Sequence, residues 1–140
     1  HCLEACEMEN NIPRVGVGAV ILSEDHQSIL LVKRKKAPEA GYWSLPGGKV
    51  DYMETIEAAI IREIKEELNV DIIIEKLLCV TDHILPEEKA HWVAPTFLTS
   101  IEKGQLINNE PHALADVKWF NLNSLPEKLT LTTKNALKYL

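Results

Sequence analysis

The chain has 140 residues, 46% of them hydrophobic and 26% charged, and a formal charge of −6. That length is one ordinary domain with enough apolar material for its own core, and the balance excludes a disordered or membrane-embedded chain. The acidic charge argues against a general nucleic-acid binder, which carries a basic footprint, so a phosphate-bearing ligand would need a local counter-charge, usually a divalent cation.

Residues 1–11 hold His1, Cys2 and Cys6 and are read as a tail outside the domain, not as a metal site. With Cys79 the cysteines make an odd number and no disulfide framework, which fits a reducing cytoplasm. No apolar run approaches the ~20 residues of a membrane span and the start lacks a signal-peptide pattern, so neither a membrane partner nor export is expected. A single domain over residues 12–140 remains.

Val15, Val17, Ala19, Val20, Ile21 and Leu22 form an apolar, β-branched run, and residues 28–33 form another after a polar turn at 23–27, which predicts a hairpin. Gly16 and Gly18 are read as small residues in a crowded strand, since no third glycine and no helix follow to make a dinucleotide fingerprint. The basic cluster Lys33-Arg34-Lys35-Lys36 leads into residues 37–48, a loop with two prolines and three glycines. Residues 55–68 hold no Gly or Pro and are rich in helix formers, so a helix is predicted. Strands follow at 70–80, 91–101 and 116–120, and a closing helix near 131–140. Strands on both sides of a central helix predict an α/β fold, a mixed sheet with a helix on each face.

The central helix carries the chemistry. At about 100° per residue, Ile56, Ala59, Ile60, Ile64 and Leu68 make one apolar arc, and Glu63 and Glu67 fall inside it with Glu66 at its edge. Solvated glutamates would lie opposite the isoleucines; these would be partly desolvated and would repel one another. A hard divalent cation resolves that conflict, because Mg²⁺ takes carboxylate oxygens and is completed by water and substrate phosphates. Arg62 lies off the cluster's centre and is expected to brace Glu54 from the preceding loop.

From Gly48 the chain reads Gly48, five others, Glu54, seven others, Arg62, Glu63, Ile64, one other, Glu66, Glu67, one other, Asn69, Val70. This resembles the Nudix box at every defined position but one, and the flanking Trp43, Leu45, Pro46 and Gly47 are similar to the family too. The departure is Asn69, where the family has glycine; Asn is the next residue most able to adopt a left-handed helix cap, so a small cost in stability and an idle side chain are expected.

The resemblance extends loosely over residues 13–140 and implies an α/β/α sandwich with a catalytic loop-helix-loop. It also implies that Glu63, Glu66 and Glu67 hold Mg²⁺, with Mn²⁺ as the alternative ion and the carbonyl of Gly47 as a further ligand, and that Arg62 pairs with Glu54. The implied reaction splits a nucleoside diphosphate linked to another moiety into a nucleoside monophosphate and a phosphorylated fragment or pyrophosphate. Family members take their general base either from the box, where Glu66 is the first choice, or from a later loop, where Glu87, Glu88 and Glu110 are candidates.

For the substrate, the cluster from Lys33 to Lys36 is read either as a contact for distal phosphates, with Lys33 and with Arg34 as the bidentate fork, or as a solvated strand end. Trp43 and Trp92, with Tyr52 and Phe97, are candidate base platforms, while Trp119 is assigned to the core. His83 and His91 are read as ligand contacts or structural histidines. Pro86, sixteen residues beyond Val70, resembles the ADP-ribose-cleaving branch, whereas the segment up to Gly48 resembles the branch that hydrolyses nucleoside triphosphates. The expected partner is a small nucleotide and no nucleic-acid polymer, and a homodimer is the default state. The rival reading is a nucleotide-sensing or protein-binding module of the same fold; keeping Glu54, Arg62 and all three carboxylates favours the enzyme.

Overall fold

The computed structural model describes residues 11–140, so the expected tail with Cys2 and Cys6 lies, Asn11 aside, outside the described residues. In chain order the elements are β1 (Arg14–Ile21), β2 (Ser28–Arg34), β3 (Trp43–Ser44), β4 (Gly47–Lys49), α1 (Ile56–Leu68) and β5 (Val70–Leu85). A 3₁₀ turn (Pro86–Glu88), β6 (Ala90–Gly104), β7 (Leu114–Asn121) and α2 (Leu131–Leu137) complete it. Four strands form a mixed sheet in the order β4-β1-β6-β5, in which β1 and β6 run parallel, and three form an antiparallel sheet in the order β3-β2-β7.

β1 and β2 read as continuous apolar runs because both faces are buried. Alternate side chains of a strand point to opposite faces. Val17, Ala19, Ile21, Leu30 and Val32 therefore pack with Ala59, Ile60, Ile64 and Leu68 of α1. Val20, Ile29 and Leu31 enter a second core with Cys79, Leu129 and Ala136 of α2. The strands are thus a layer between two helices, the expected α/β sandwich. Among the described residues no helix is long and apolar enough to cross a membrane.

The predicted hairpin does not form. β1 pairs with β4 and β6 while β2 pairs with β3 and β7, and only the bridge Leu22–Ile29 joins the two across the turn. A strand buried on both faces is free to take partners from anywhere in the chain, and adjacency in sequence did not decide the pairing. β5 and β6 continue past their expected limits into a long antiparallel ribbon that ends at the 3₁₀ turn. Thr81 and His83 are buried and alternate with exposed Asp82 and Ile84, so polar inward residues hid the strand's period. Trp119, assigned to the core, is 37% exposed, because it lies on the edge strand β7.

Thr55 caps α1, its hydroxyl accepting from Ala58 N at 3.1 Å, so the helix starts where its first good cap stands. At the other end Asn69 adopts φ 63° and its N–H closes onto the Lys65 carbonyl. Its side chain is not idle, contrary to expectation: Nδ2 donates to the Gln105 carbonyl at 3.1 Å.

Candidate active site

The arc of α1 that carries Ile60, Ile64 and Leu68 into the core carries Glu67 with it, leaving this carboxylate only 7% exposed. Its Oε1 accepts from the backbone N–H of Gly47 at 3.2 Å. Burial pushes the Glu67 carboxyl up to about 8; the Gly47 bond opposes this, and the Glu110 and Glu63 carboxylates add to it. Glu63, one turn earlier, is also raised by burial, despite Arg62 beside it. Glu66 is exposed.

β4 passes so close to this face that its glycines are obligatory. A Cβ on Gly48 would run into the Glu63 carboxylate, and one on Gly47 into the Val17 carbonyl. Gly48→Ala is therefore expected to displace Glu63 and lower kcat by about a hundredfold, since misplacing a reacting group by ~1 Å costs on that order. Steady-state kinetics on the folded variant checks this; an unchanged kcat would show that Glu63 can move freely.

Arg62 ties the site together. Its Nε and Nη2 donate to Glu54 Oε2 and Oε1 at 2.7 and 2.8 Å, a bidentate pair. Nη2 also reaches the Lys49 carbonyl at 3.1 Å, and Nη1 donates to Glu63 at 3.0 Å and Glu66 at 3.2 Å. The guanidinium, with the Asp51 N–H, holds the Glu54 carboxyl down at about 2. Arg62 thus braces Glu54 and also leans on two cluster carboxylates, a contact its angular position did not suggest. With that cation lying between Glu63 and Glu66, no three His, Cys, Asp or Glu side chains among the described residues converge as a ready-made metal cage.

The chain after β6 returns to the end of α1. Ile107 N and Asn109 N donate to the carbonyls of Leu68 and Glu67, at 3.1 and 2.9 Å, and Asn109 Nδ2 to that of Glu66 at 3.2 Å. These bonds satisfy the last-turn carbonyls that a helix leaves open. They also hold Glu110 near enough to raise both Glu63 and Glu67. Of the three loop carboxylates, Glu110 is the one brought to the cluster; Glu88 instead accepts from Glu39 N, and both Glu87 and Glu88 sit on the 3₁₀ turn.

A cleft of about 280 Å³ opens beside the carboxylates, lined by Gly47, Gly48 and Lys49 at one place and by Arg34, Glu39, His83, Trp92, Thr130 and Thr132 elsewhere. Arg34 and Trp92 are among the residues that line it. Lys33 and Trp43 are not: Trp43 stacks edge-on against Phe120 with centroids 4.7 Å apart, and the Lys33 amine lies 5.9 Å from the Trp43 ring centre. Strand alternation is the reason, because Ser44 faces the cleft and its neighbour Trp43 the other side, as Arg34 and Lys33 divide on β2. Of the other aromatics, Tyr52 is 90% exposed and Phe97 is core. Sequence reasoning missed Glu39 and Thr132, which sit in a loop and on a short helix with no periodicity to mark them.

The family model described as the NUDIX domain matches residues 12–140. An ADP-ribose pyrophosphatase of Methanocaldococcus jannaschii is 35% identical over 90% of this chain and 72% of its own length. An 8-oxo-dGTP diphosphatase of Proteus vulgaris is 30% identical over 66% of this chain and 82% of its own. Among solved structures, a MutT NUDIX hydrolase from Burkholderia pseudomallei superimposes with a TM-score of 0.84 at 48% identity, covering 92% of this chain and 98% of that one.

Proposed function

The chain belongs to the Nudix hydrolase family, and from that premise we propose a divalent-metal-dependent pyrophosphohydrolase acting on a nucleoside diphosphate linked to a second moiety. ADP-ribose is the first candidate and a nucleoside triphosphate the next, in keeping with the ADP-ribose pyrophosphatase and the 8-oxo-dGTP diphosphatase that this chain is similar to. The products are a nucleoside monophosphate and a phosphorylated fragment or pyrophosphate.

The observation that carries this reading is a buried carboxylate, Glu67, whose charged form is opposed by burial and by the nearby Glu110 and Glu63 carboxylates and which forms no ion pair among the described residues. Two or three carboxylates forced together in a half-buried place fit a hard dication, whose charge would offset their repulsion and desolvation. Glu63, Glu66 and Glu67 would hold it, with Gly47 alongside. Mg²⁺, or Mn²⁺ in its place, would supply charge neutralisation at the phosphoryl oxygens and acidify a bound water.

The chain's own groups do the rest. Arg62 keeps Glu54 and the backbone of Lys49 fixed against α1, and so sets the angle at which the carboxylates face the cleft. Arg34, whose Nε is anchored on the Pro38 carbonyl at 2.7 Å, still offers its other nitrogens to a phosphate. Glu66, the most exposed box carboxylate, is assigned the base that takes the proton of the attacking water. Glu110 is the second choice, favoured by its anchored position beside Glu63 and Glu67.

The test is phosphate release, coupled through a phosphatase, from ADP-ribose, nucleotide sugars, CDP-alcohols and nucleoside triphosphates, with Mg²⁺ or with EDTA. Turnover of one group that EDTA abolishes and Mg²⁺ restores is the expected result. Equal turnover with and without metal would overturn the carboxylate assignment, and nucleotide binding without any turnover would point to the sensing module.

A further inference from the structure

Beyond Arg34 and the glycines beside the carboxylates, the cleft is walled by groups that the proposed hydrolysis leaves unused. His83 on β5 lies opposite Trp92 on β6 in the antiparallel register, so the two side chains stand on one face, and both line the cleft. The His83 Nε2 is 2.7 Å from Glu39 Oε1, and the other carboxylate oxygen of Glu39 accepts from Leu131 N at 2.9 Å. Both side chains are largely hidden, at 8% and 13% exposure. Glu39 holds this place at φ 58°, a left-handed conformation that costs a side-chain-bearing residue roughly 1–3 kcal/mol and persists only where the surroundings impose it.

The pair has a definite polarity. Burial raises the Glu39 carboxyl, but the bonds from His83 and Leu131 outweigh it and leave it below its ordinary value, so Glu39 is an ionised, acceptor-only group. Because that carboxylate only accepts, the proton between them sits on Nε2, and in the tautomer this bond selects Nδ1 is the acceptor nitrogen. Among the described residues no fully buried side-chain nitrogen or oxygen lacks a partner, and Nδ1 has no hydrogen bond of its own, so Nδ1 is not sealed off, on a side chain that lines the cleft. Beside it the Trp92 ring lies against β1, close enough that a Cβ on Gly16 would come within 3.2 Å of it. A flat apolar wall next to a single oriented acceptor is what a planar heterocycle with an N–H edge fits.

We propose that His83, held in one tautomer by Glu39, recognises an N–H donor of the substrate's nucleobase, with Trp92 as the wall the base lies against. The proposal rests on the nucleotide-hydrolase reading and names the half of the substrate bound away from the carboxylates. His83 is the contact and Glu39 its positioning residue.

The test is calorimetric binding of AMP, GMP, CMP, UMP, ribose 5-phosphate and inorganic pyrophosphate to the full chain with Mg²⁺, for the parent protein and for H83Q, H83N and E39Q shown to be folded by thermal melting. In H83Q, whose amide replaces Nε2 and not Nδ1, the best-bound monophosphate is expected to weaken about tenfold, the cost of an unmade buried hydrogen bond. Ribose 5-phosphate and pyrophosphate should not change. H83N, whose amide oxygen falls near the place of Nδ1, should recover most of the loss. E39Q, which frees the ring to take either tautomer, should raise KM while leaving kcat unchanged.

Equal weakening of the monophosphate and ribose 5-phosphate would overturn the base contact in favour of the sugar, and an unaltered monophosphate affinity in folded H83Q would overturn it outright. The two readings fail separately. Hydrolysis with indifference to His83 removes only the base site. Binding through His83 with no turnover of any nucleotide removes only the hydrolase.

Discussion

Glu67→Gln is expected to abolish most turnover, lowering kcat/KM by on the order of 10³-fold, because it removes a charged oxygen from the proposed cation set where substrate phosphates would complete the shell. The fold should survive the change. The Gln amide oxygen can still accept from Gly47 N, which now bonds Glu67 Oε1 at 3.2 Å, and the neutral amide has the shape of the carboxyl that burial keeps protonated below about pH 8 when no metal is bound. Glu66→Gln is expected to lose rate comparably, but without any effect on melting temperature, because Glu66 is exposed. Kinetics across Mg²⁺ concentrations, run beside thermal melts, checks both. A Glu67→Gln enzyme with near-parental kcat/KM would remove Glu67 from the site.

The second large effect is on stability against pH in EDTA. The Glu67 carboxyl stands at about 8 in the folded chain, against an ordinary 4.5. Between those values the folded state keeps a proton that the unfolded chain has released, so stability declines as pH rises from about 4.5 to about 8 and then levels off. Glu54, held down at about 2, acts in a separate window: its contribution is present above pH ~4.5 and is lost as pH falls toward 2. The metal-free chain should accordingly melt several degrees higher near pH 5 than near pH 8.5, roughly 5 °C for a domain of this size. Glu67→Gln should flatten that slope. Saturating Mg²⁺ should flatten or reverse it, since a cation binds the ionised carboxylates and stabilises the state that holds them. Identical slopes for the parent and Glu67→Gln would show that Glu67 is not the group that titrates.

The helix and its carboxylates were legible in the sequence because two periodic signals contradicted each other there. A 3.6-residue apolar stripe is a local property, and charged residues within it stand out without any knowledge of the fold. Thr55, Ile60, Ile64 and Glu67 stand where that reading put them. Pairing of strands was less accessible. β1 and β2 are buried on both faces, so their sequence says that they are covered and not by what.

Within the cleft, the division between Arg34 and Lys33, or Ser44 and Trp43, depends on one residue of register. That register is set by β2 pairing with β3 and β7, which no short stretch of sequence encodes. Glu39 was harder still. Its role depends on a left-handed backbone angle and on contacts with residues 44 and 92 positions further along the chain.

Asn69 exchanges one virtue for another. Glycine would reach its φ of 63° with less strain, yet glycine has no amide to offer the Gln105 carbonyl. That amide is a latch between the end of α1 and the start of the segment that carries Asn109 and Glu110, so the two box-facing pieces of chain are fastened at both ends of the loop. Restoring the family glycine here would be a gain for the helix and a loosening for its neighbour. The worth of position 69 is therefore conditional on what residues 105–110 are, and substitutions at the two places should be inherited, and engineered, as a pair.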